Sequence, residues 1–238
     1  MDLGFAGSTA VVTGGSKGMG LAIAETLAAE GASVAVMARG QDALDAAVTA
    51  LREAGAPDAV GISVDMADAE SIAAGFAAVS QRWGKLNCLV HTIGPGDGYF
   101  EQMDDAQWDA AFALGTMSGV RSIRASLPLL RSADWARIVT LSAHSIQRQN
   151  PRIVAYTASK AALASVTKNL SKSLAKDGIL VNAVAPSIMD TEANREAMPK
   201  AHYDLWPKVE DVAATILFLA SPDNRVTRGA VVPVYGKS

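Results

Sequence analysis

The sequence is poor in several things. Cys88 is the one cysteine among 238 residues, so the chain cannot close a disulfide on itself. It lies in an apolar, strand-like run where a cysteine acts as a small hydrophobe, a reactive thiol being the alternative. Charge is sparse, at 19% Asp, Glu, Lys and Arg with a formal net charge of −3. Without a broad basic field, nucleic acid and anionic membrane surfaces are not expected as partners, and small molecules are. No uncharged run approaches the about 18 residues of a membrane span. Residues 1–7 lack the basic and then apolar order of a secretory signal, so the cytoplasm is the expected location.

What the chain does have is apolar material, 50% of its residues, enough for a sizeable core. Short apolar runs alternate with alanine-rich stretches of helical spacing from one end to the other. The runs Thr9–Thr13, Ser33–Ala38, Ala59–Ser63, Cys88–His91, Arg137–Ser142, Leu180–Ala185 and Ala230–Val234 read as strands buried on both faces. The stretches Gly18–Glu30, Ala43–Ala54, Ala69–Trp83, Asp105–Leu130, Val154–Lys176 and Val209–Ala220 read as helices between them. Right-handed crossovers then predict an α/β fold, a doubly wound Rossmann-type parallel sheet of about seven strands with helices on both faces. No linker or composition shift divides it, so residues 1–238 read as a single domain. Two long loops, Pro95–Asp104 and Thr191–Lys208, are candidates for functional lids.

After the first strand comes Thr13-Gly14-Gly15-Ser16-Lys17-Gly18-Met19-Gly20, leading into the apolar face Leu21, Ile23, Ala24, Leu27. Glycines here allow a tight turn and let a pyrophosphate approach backbone N–H groups at a helix start. Turns also favour glycine for purely structural reasons. The spacing T-G-x-x-x-G-x-G resembles the short-chain dehydrogenase/reductase family. The resemblance implies dinucleotide binding by Gly14, Ser16, Lys17, Gly18, Met19 and Gly20. The second strand ends Ala38-Arg39; Ala38 stands where NAD-preferring relatives carry aspartate, and Arg39 where NADP-preferring ones carry arginine. An arginine can pair with a 2′-phosphate, and Lys17 adds a second cation, so NADP(H) is the expected cofactor; ordinary solvated surface charges are the other reading. Asp65, beside Met66, matches the family aspartate that binds the adenine amino group, with a helix-capping role as its alternative. Of the family's N-N-A-G after the fourth strand only Gly94 survives, in His91-Thr92-Ile93-Gly94. His91 reads as a packed strand-end residue, since no metal-type partner lies at ligand spacing, and no metal site is expected.

Tyr156 and Lys160 fall on one helix face at i,i+4 spacing. A tyrosine titrates near ~10 in water, and a neighbouring ammonium stabilises its phenolate, making it usable as an acid/base near neutrality. Such a pair is commonly just helix surface, but here it follows a strand and a loop about 140 residues after the phosphate turn. The resemblance extends to Val181-Asn182-Ala183-Val184-Ala185-Pro186 and to Thr191, which matches the residue touching the nicotinamide carboxamide; Ser187 stands where glycine is usual. It therefore covers essentially the whole chain. It implies a carbonyl or secondary alcohol substrate, Tyr156 as general acid/base with Lys160 as its partner, and a homotetramer or homodimer paired through the two long helices. The small-residue stripe Ala158, Ala161, Ala162, Ser165 allows close helix approach, although packing on the chain's own sheet explains part of it equally.

The pattern breaks twice. The family serine, thirteen positions before the tyrosine, falls on Ala143, whose neighbours Ser142, His144 and Ser145 are candidate substitutes; strand alternation turns Ser142 away. The family asparagine, seven positions after the helix tryptophan, falls on Gly115. Glycine keeps its carbonyl and can loosen a helix. Two functions are therefore expected: an NADP(H)-dependent oxidoreductase interconverting a carbonyl and a secondary alcohol, or an NADP(H)-binding sensor or regulatory protein with little or no turnover. In the Thr191–Lys208 loop, His202, Tyr203, Leu205 and Trp206 could form an apolar substrate lid or pack onto the body.

Overall fold

The computed structural model describes residues 3–96 and 98–237; Asp97, within the Pro95–Asp104 loop, lies outside them. Seven strands, β1 (Thr9–Thr13), β2 (Ser33–Ala38), β3 (Ala59–Ser63), β4 (Cys88–His91), β5 (Ala136–Leu141), β6 (Ile179–Pro186) and β7 (Val231–Val234), form one sheet. The helices are α1 (Gly18–Ala29), α2 (Gln41–Glu53), α3 (Ala69–Trp83), α4 (Asp105–Phe112), α5 (Ser118–Arg131), α6 (Val154–Ser173), α7 (Glu192–Ala197) and α8 (Val209–Ala220). Every strand pair is parallel, in the order β3-β2-β1-β4-β5-β6-β7. The chain builds outward from β1 to β3, then returns to pair β4 with the other edge of β1. That reversal opens a crevice beyond the carboxyl ends of β1 and β4, where a doubly wound sheet receives its ligand.

The apolar runs are continuous because both faces are covered. Along β1 and β2, Ala10, Val12, Val34 and Val36 pack beneath α1, α2 and α8 with Leu27, Leu44 and Ile216. The alternate residues Val11, Ala35 and Met37 face the other way, onto Phe76 of α3 and Ile123 of α5. Burying each such aliphatic side chain contributes about 1.5–3 kcal/mol, so the two cores fix the strand ends against which the site is built. Cys88 is fully buried among them, and burial raises its thiol to about 12, which makes it a core residue and not a nucleophile.

Two expected helices are corrected. The helix expected over Asp105–Leu130 is interrupted: α4 ends at Phe112, a π-helical turn occupies Ala113–Met117, and α5 resumes at Ser118. The helix expected to reach Lys176 ends at Ser173, with a 3₁₀ turn over Ala175–Asp177 before Gly178. In the small-residue stripe, Ala161 and Ser165 are exposed and Ala158 and Ala162 half-buried, while the buried side of α6 meets β5 through Thr167 and Thr140 and the π-helical turn through Ser159 and Gly115. The Thr191–Lys208 loop also carries structure of its own, α7 and a 3₁₀ turn at Tyr203–Leu205. The remaining strand and helix ends lie within two residues of those expected.

Candidate active site

The glycine-rich turn joins β1 to α1 at the crevice. Gly14 has φ +75°, and a Cβ on Gly20 would overlap the Gly14 carbonyl oxygen, so the helix start can close onto the strand only with glycine there. No side chain caps α1 at Lys17 and no acidic residue stands in its first turn. A Cβ added at Gly18 would meet nothing within 4 Å. Unfilled space before an uncapped helix start suits the pyrophosphate of a dinucleotide. Ser16 and Met19 are half-buried in this turn, and Lys17 and Arg39 are exposed at the ends of neighbouring segments. Asp65 is exposed beyond β3, its carboxylate accepting from the Ala67 N–H at 2.9 Å, whereas Asp68 caps α3. Met66 beside it is buried.

Tyr156 and Lys160 meet the same crevice from α6. A Cβ on Gly94, just past β4, would lie 3.5 Å from Cε2 of Tyr156 and 3.9 Å from Cε of Lys160, which places both side chains against this strand end. Lys160 is buried, and its Nζ donates to the carbonyls of Ile93 at 2.6 Å and Leu141 at 2.8 Å, bridging the diverging ends of β4 and β5. Nζ also sits 5.9 Å from the centre of the Tyr156 ring. Burial pulls the ammonium down to about 7, so this lysine changes charge in the neutral range. Pro186 ends β6 buried, and Thr191 caps α7 by accepting from the Asn194 N–H.

His91, fully buried at the end of β4, sits in a chain whose direction follows from proton counting. The Ser118 hydroxyl has one proton and donates it to the Leu114 carbonyl, so at 3.0 Å Ser118 Oγ must accept from Nε2–H of His91. Nδ1 is then an acceptor, taking the Thr13 hydroxyl proton at 2.8 Å. Burial and the nearby Lys160 lower this imidazole to about 3, which keeps it neutral. The chain runs from the phosphate turn to the π-helical turn holding Gly115. There, a Cβ on Gly115 would overlap the Ser159 hydroxyl and lie 2.6 Å from Ser159 Cβ, so the π-helical turn and α6 touch where only glycine fits.

Around Ala143 each neighbour is committed differently. The Ser142 hydroxyl turns away to the Lys160 carbonyl at 3.4 Å. The His144 ring lies against Tyr235, centroids 3.8 Å apart. Ser145 Oγ accepts from Thr157 Oγ1 at 3.0 Å. Local sequence carries no sign of Tyr235, which the β6–β7 pairing delivers to the site from 79 positions beyond Tyr156.

The sequence model of the short chain dehydrogenase family matches residues 8–202. The chain belongs to this family. It is 31% identical over 247 residues to a dehydrogenase/reductase SDR family member 4 of Caenorhabditis elegans, covering 98% of this chain and 95% of that one. L-sorbose reductase from Gluconobacter frateurii, solved with NADPH and L-sorbose, superposes with a TM-score of 0.92 at 28% identity over 99% of this chain and 98% of that one. A 7α-hydroxysteroid dehydrogenase solved with NADH and 7-oxo glycochenodeoxycholic acid also gives 0.92, at 26% identity over 99% and 95%. Family membership makes this short chain dehydrogenase an oxidoreductase working between carbonyls and alcohols with a nicotinamide cofactor. Those two relatives hold different cofactors, so the choice of cofactor rests on this chain's own side chains.

Proposed function

We propose that this short chain dehydrogenase uses NADP(H) to interconvert a carbonyl and a secondary alcohol, with Tyr156 as general acid/base. The observation that carries the reading is the placement of Tyr156 and Lys160 against Gly94, at the crevice that begins with the phosphate turn. The nicotinamide supplies or accepts the hydride. The Tyr156 hydroxyl gives its proton to the carbonyl oxygen during reduction and takes it back during oxidation, while the Lys160 ammonium favours the phenolate left behind. Gly14, Ser16, Lys17, Gly18, Met19 and Gly20 hold the pyrophosphate side, Asp65 and Met66 the adenine, Gly94, Lys160 and Pro186 the ribose and nicotinamide, and Thr191 the carboxamide. Exposed cations at Lys17 and Arg39 and the absence of a carboxylate at Ala38 support the 2′-phosphate, hence NADP(H).

The 191–208 segment acts as a substrate lid on a domain comprising the whole chain, and the exposed small face of α6 supports pairing into a homodimer or homotetramer. The cytoplasm remains the proposed location. A second reading, an NADP(H) sensor with little turnover, is favoured by the methyl group of Ala143 where a hydrogen-bond donor is needed. NADPH consumption against ketones, aldehydes, quinones and β-ketoacyl thioesters, with NADH in parallel, separates the two. Turnover preferring NADPH and falling about 10²- to 10⁴-fold in Tyr156→Phe, with NADPH affinity intact, is the expected result. Saturable NADPH binding without turnover establishes the sensor instead.

A further inference from the structure

Two loops flank the place where carbonyl and nicotinamide would meet, the turn after Ala143 and the loop after Pro186. Neither belongs to the sheet. The turn His144–Ile146 is a single 3₁₀ turn, a weak element on its own, closed by Ile146 N–H to Ala143 at 3.2 Å and Gln147 N–H to His144 at 2.9 Å. Thr157 of α6 holds it from within through Ser145, and its outer support comes from beyond β7. The Tyr235 ring lies on His144, 31° from parallel, and its hydroxyl donates to Gln147 Oε1 at 2.9 Å. The Tyr235 carbonyl accepts from the Ser187 hydroxyl at 3.0 Å, and Ser187 N–H donates to Val234 at 3.1 Å. Two residues on, Lys237 N–H donates to Leu205 in the lid at 2.9 Å.

We infer that Tyr235 is a positioning residue for the reaction, tying the turn after Ala143 to the loop after Pro186. The inference rests on the reductase reading above. Its ring, its hydroxyl and its backbone each grip a different part, so substitutions separate them. Without the ring, the turn carrying His144 and Ser145 loses its outer support, and the carbonyl is met by a wall that moves. A misplacement of about 1 Å in such a wall costs on the order of 10²-fold in rate. The tie to Ser187 is made by the Tyr235 backbone and survives the substitution, so the loop carrying Pro186 keeps its place and the cofactor does not feel the change.

The test compares wild type, Tyr235→Ala and Tyr235→Phe by amide hydrogen exchange of the protein alone and by steady-state kinetics with NADPH and the best carbonyl from the panel. In Tyr235→Ala, the amides of Ile146, Gln147 and Arg148 are expected to exchange about tenfold faster, with α1 and α6 unchanged. Its kcat/KM falls about 10- to 100-fold at unaltered NADPH affinity. Tyr235→Phe, which keeps the ring, restores most of both. Unchanged exchange, or a kcat/KM within twofold of an active wild type, overturns the inference and leaves the reductase reading standing. Loss of NADPH affinity equal to the loss of turnover also overturns it, by revealing general damage. A wild type without turnover removes the reductase reading and Tyr235's part in it together.

Discussion

A methyl group at position 143 removes one hydroxyl from the end of β5, and the residues beside it do not simply restore it. Ser142 spends its proton on the Lys160 carbonyl and His144 its ring on Tyr235, while Ser145 only accepts from Thr157, leaving its own proton uncommitted among the described residues. One transition-state donor is worth about 10²- to 10³-fold in rate. Ala143→Ser is therefore expected to raise kcat at least tenfold at constant NADPH affinity, measured on the same carbonyl panel; no gain would assign the role to Ser145. Residues of this kind were legible from spacing. Tyr156 and Lys160 declare themselves four apart, and Ala143 is found by counting back. Tyr235 is not legible, because its partners His144 and Gln147 are brought to it by strand pairing and by nothing local.

Between residue and fold lies the broken helix. Hydrophobic period runs smoothly through 105–130, so sequence reading joins α4 to α5, and the π-helical turn escapes because its causes lie elsewhere in the chain. Ser118 bonds back to the Leu114 carbonyl, a contact that bends helices, and His91 anchors that hydroxyl from β4. Ser159 on α6 presses on Gly115 from 44 positions away. Asparagine at 115 would thus not restore the usual family arrangement. Gly115→Asn is expected to cost about 1–3 kcal/mol in denaturant unfolding by overpacking. Combining it with Ser159→Gly should give a cost smaller than the sum of the two single changes; strict additivity would show that these residues do not compete for space.

Among the described residues, burial holds His91, Lys160 and Arg137 below their ordinary values, and the first two shift across pH ranges where stability can be followed. For His91, lowered from 6.5 to about 3, the unfolded chain takes up a proton first as pH falls, so stability drops progressively through that window. For Lys160, lowered from 10.5 to about 7, the same holds between those values, and below about 7 the loss is complete. Denaturant midpoints should therefore fall from pH 6.5 to 4.5. His144, only half-buried, shifts in the same direction, so the deciding comparison is His91→Asn, in which most of that slope disappears. The sheet itself was readable from seven apolar runs and the long segments between them, because burial on both faces leaves so plain a mark. Strand order was not, since periodicity says nothing of neighbours.

Cys88 lies at the middle of that order, between β1 and β5, with no surface exposed. A thiol reagent added to the native protein can react only when those strands part. The chain therefore contains its own clock: the rate at which its single sulfur is labelled times the opening of the sheet's centre, with no tag introduced and no second site to confuse the signal.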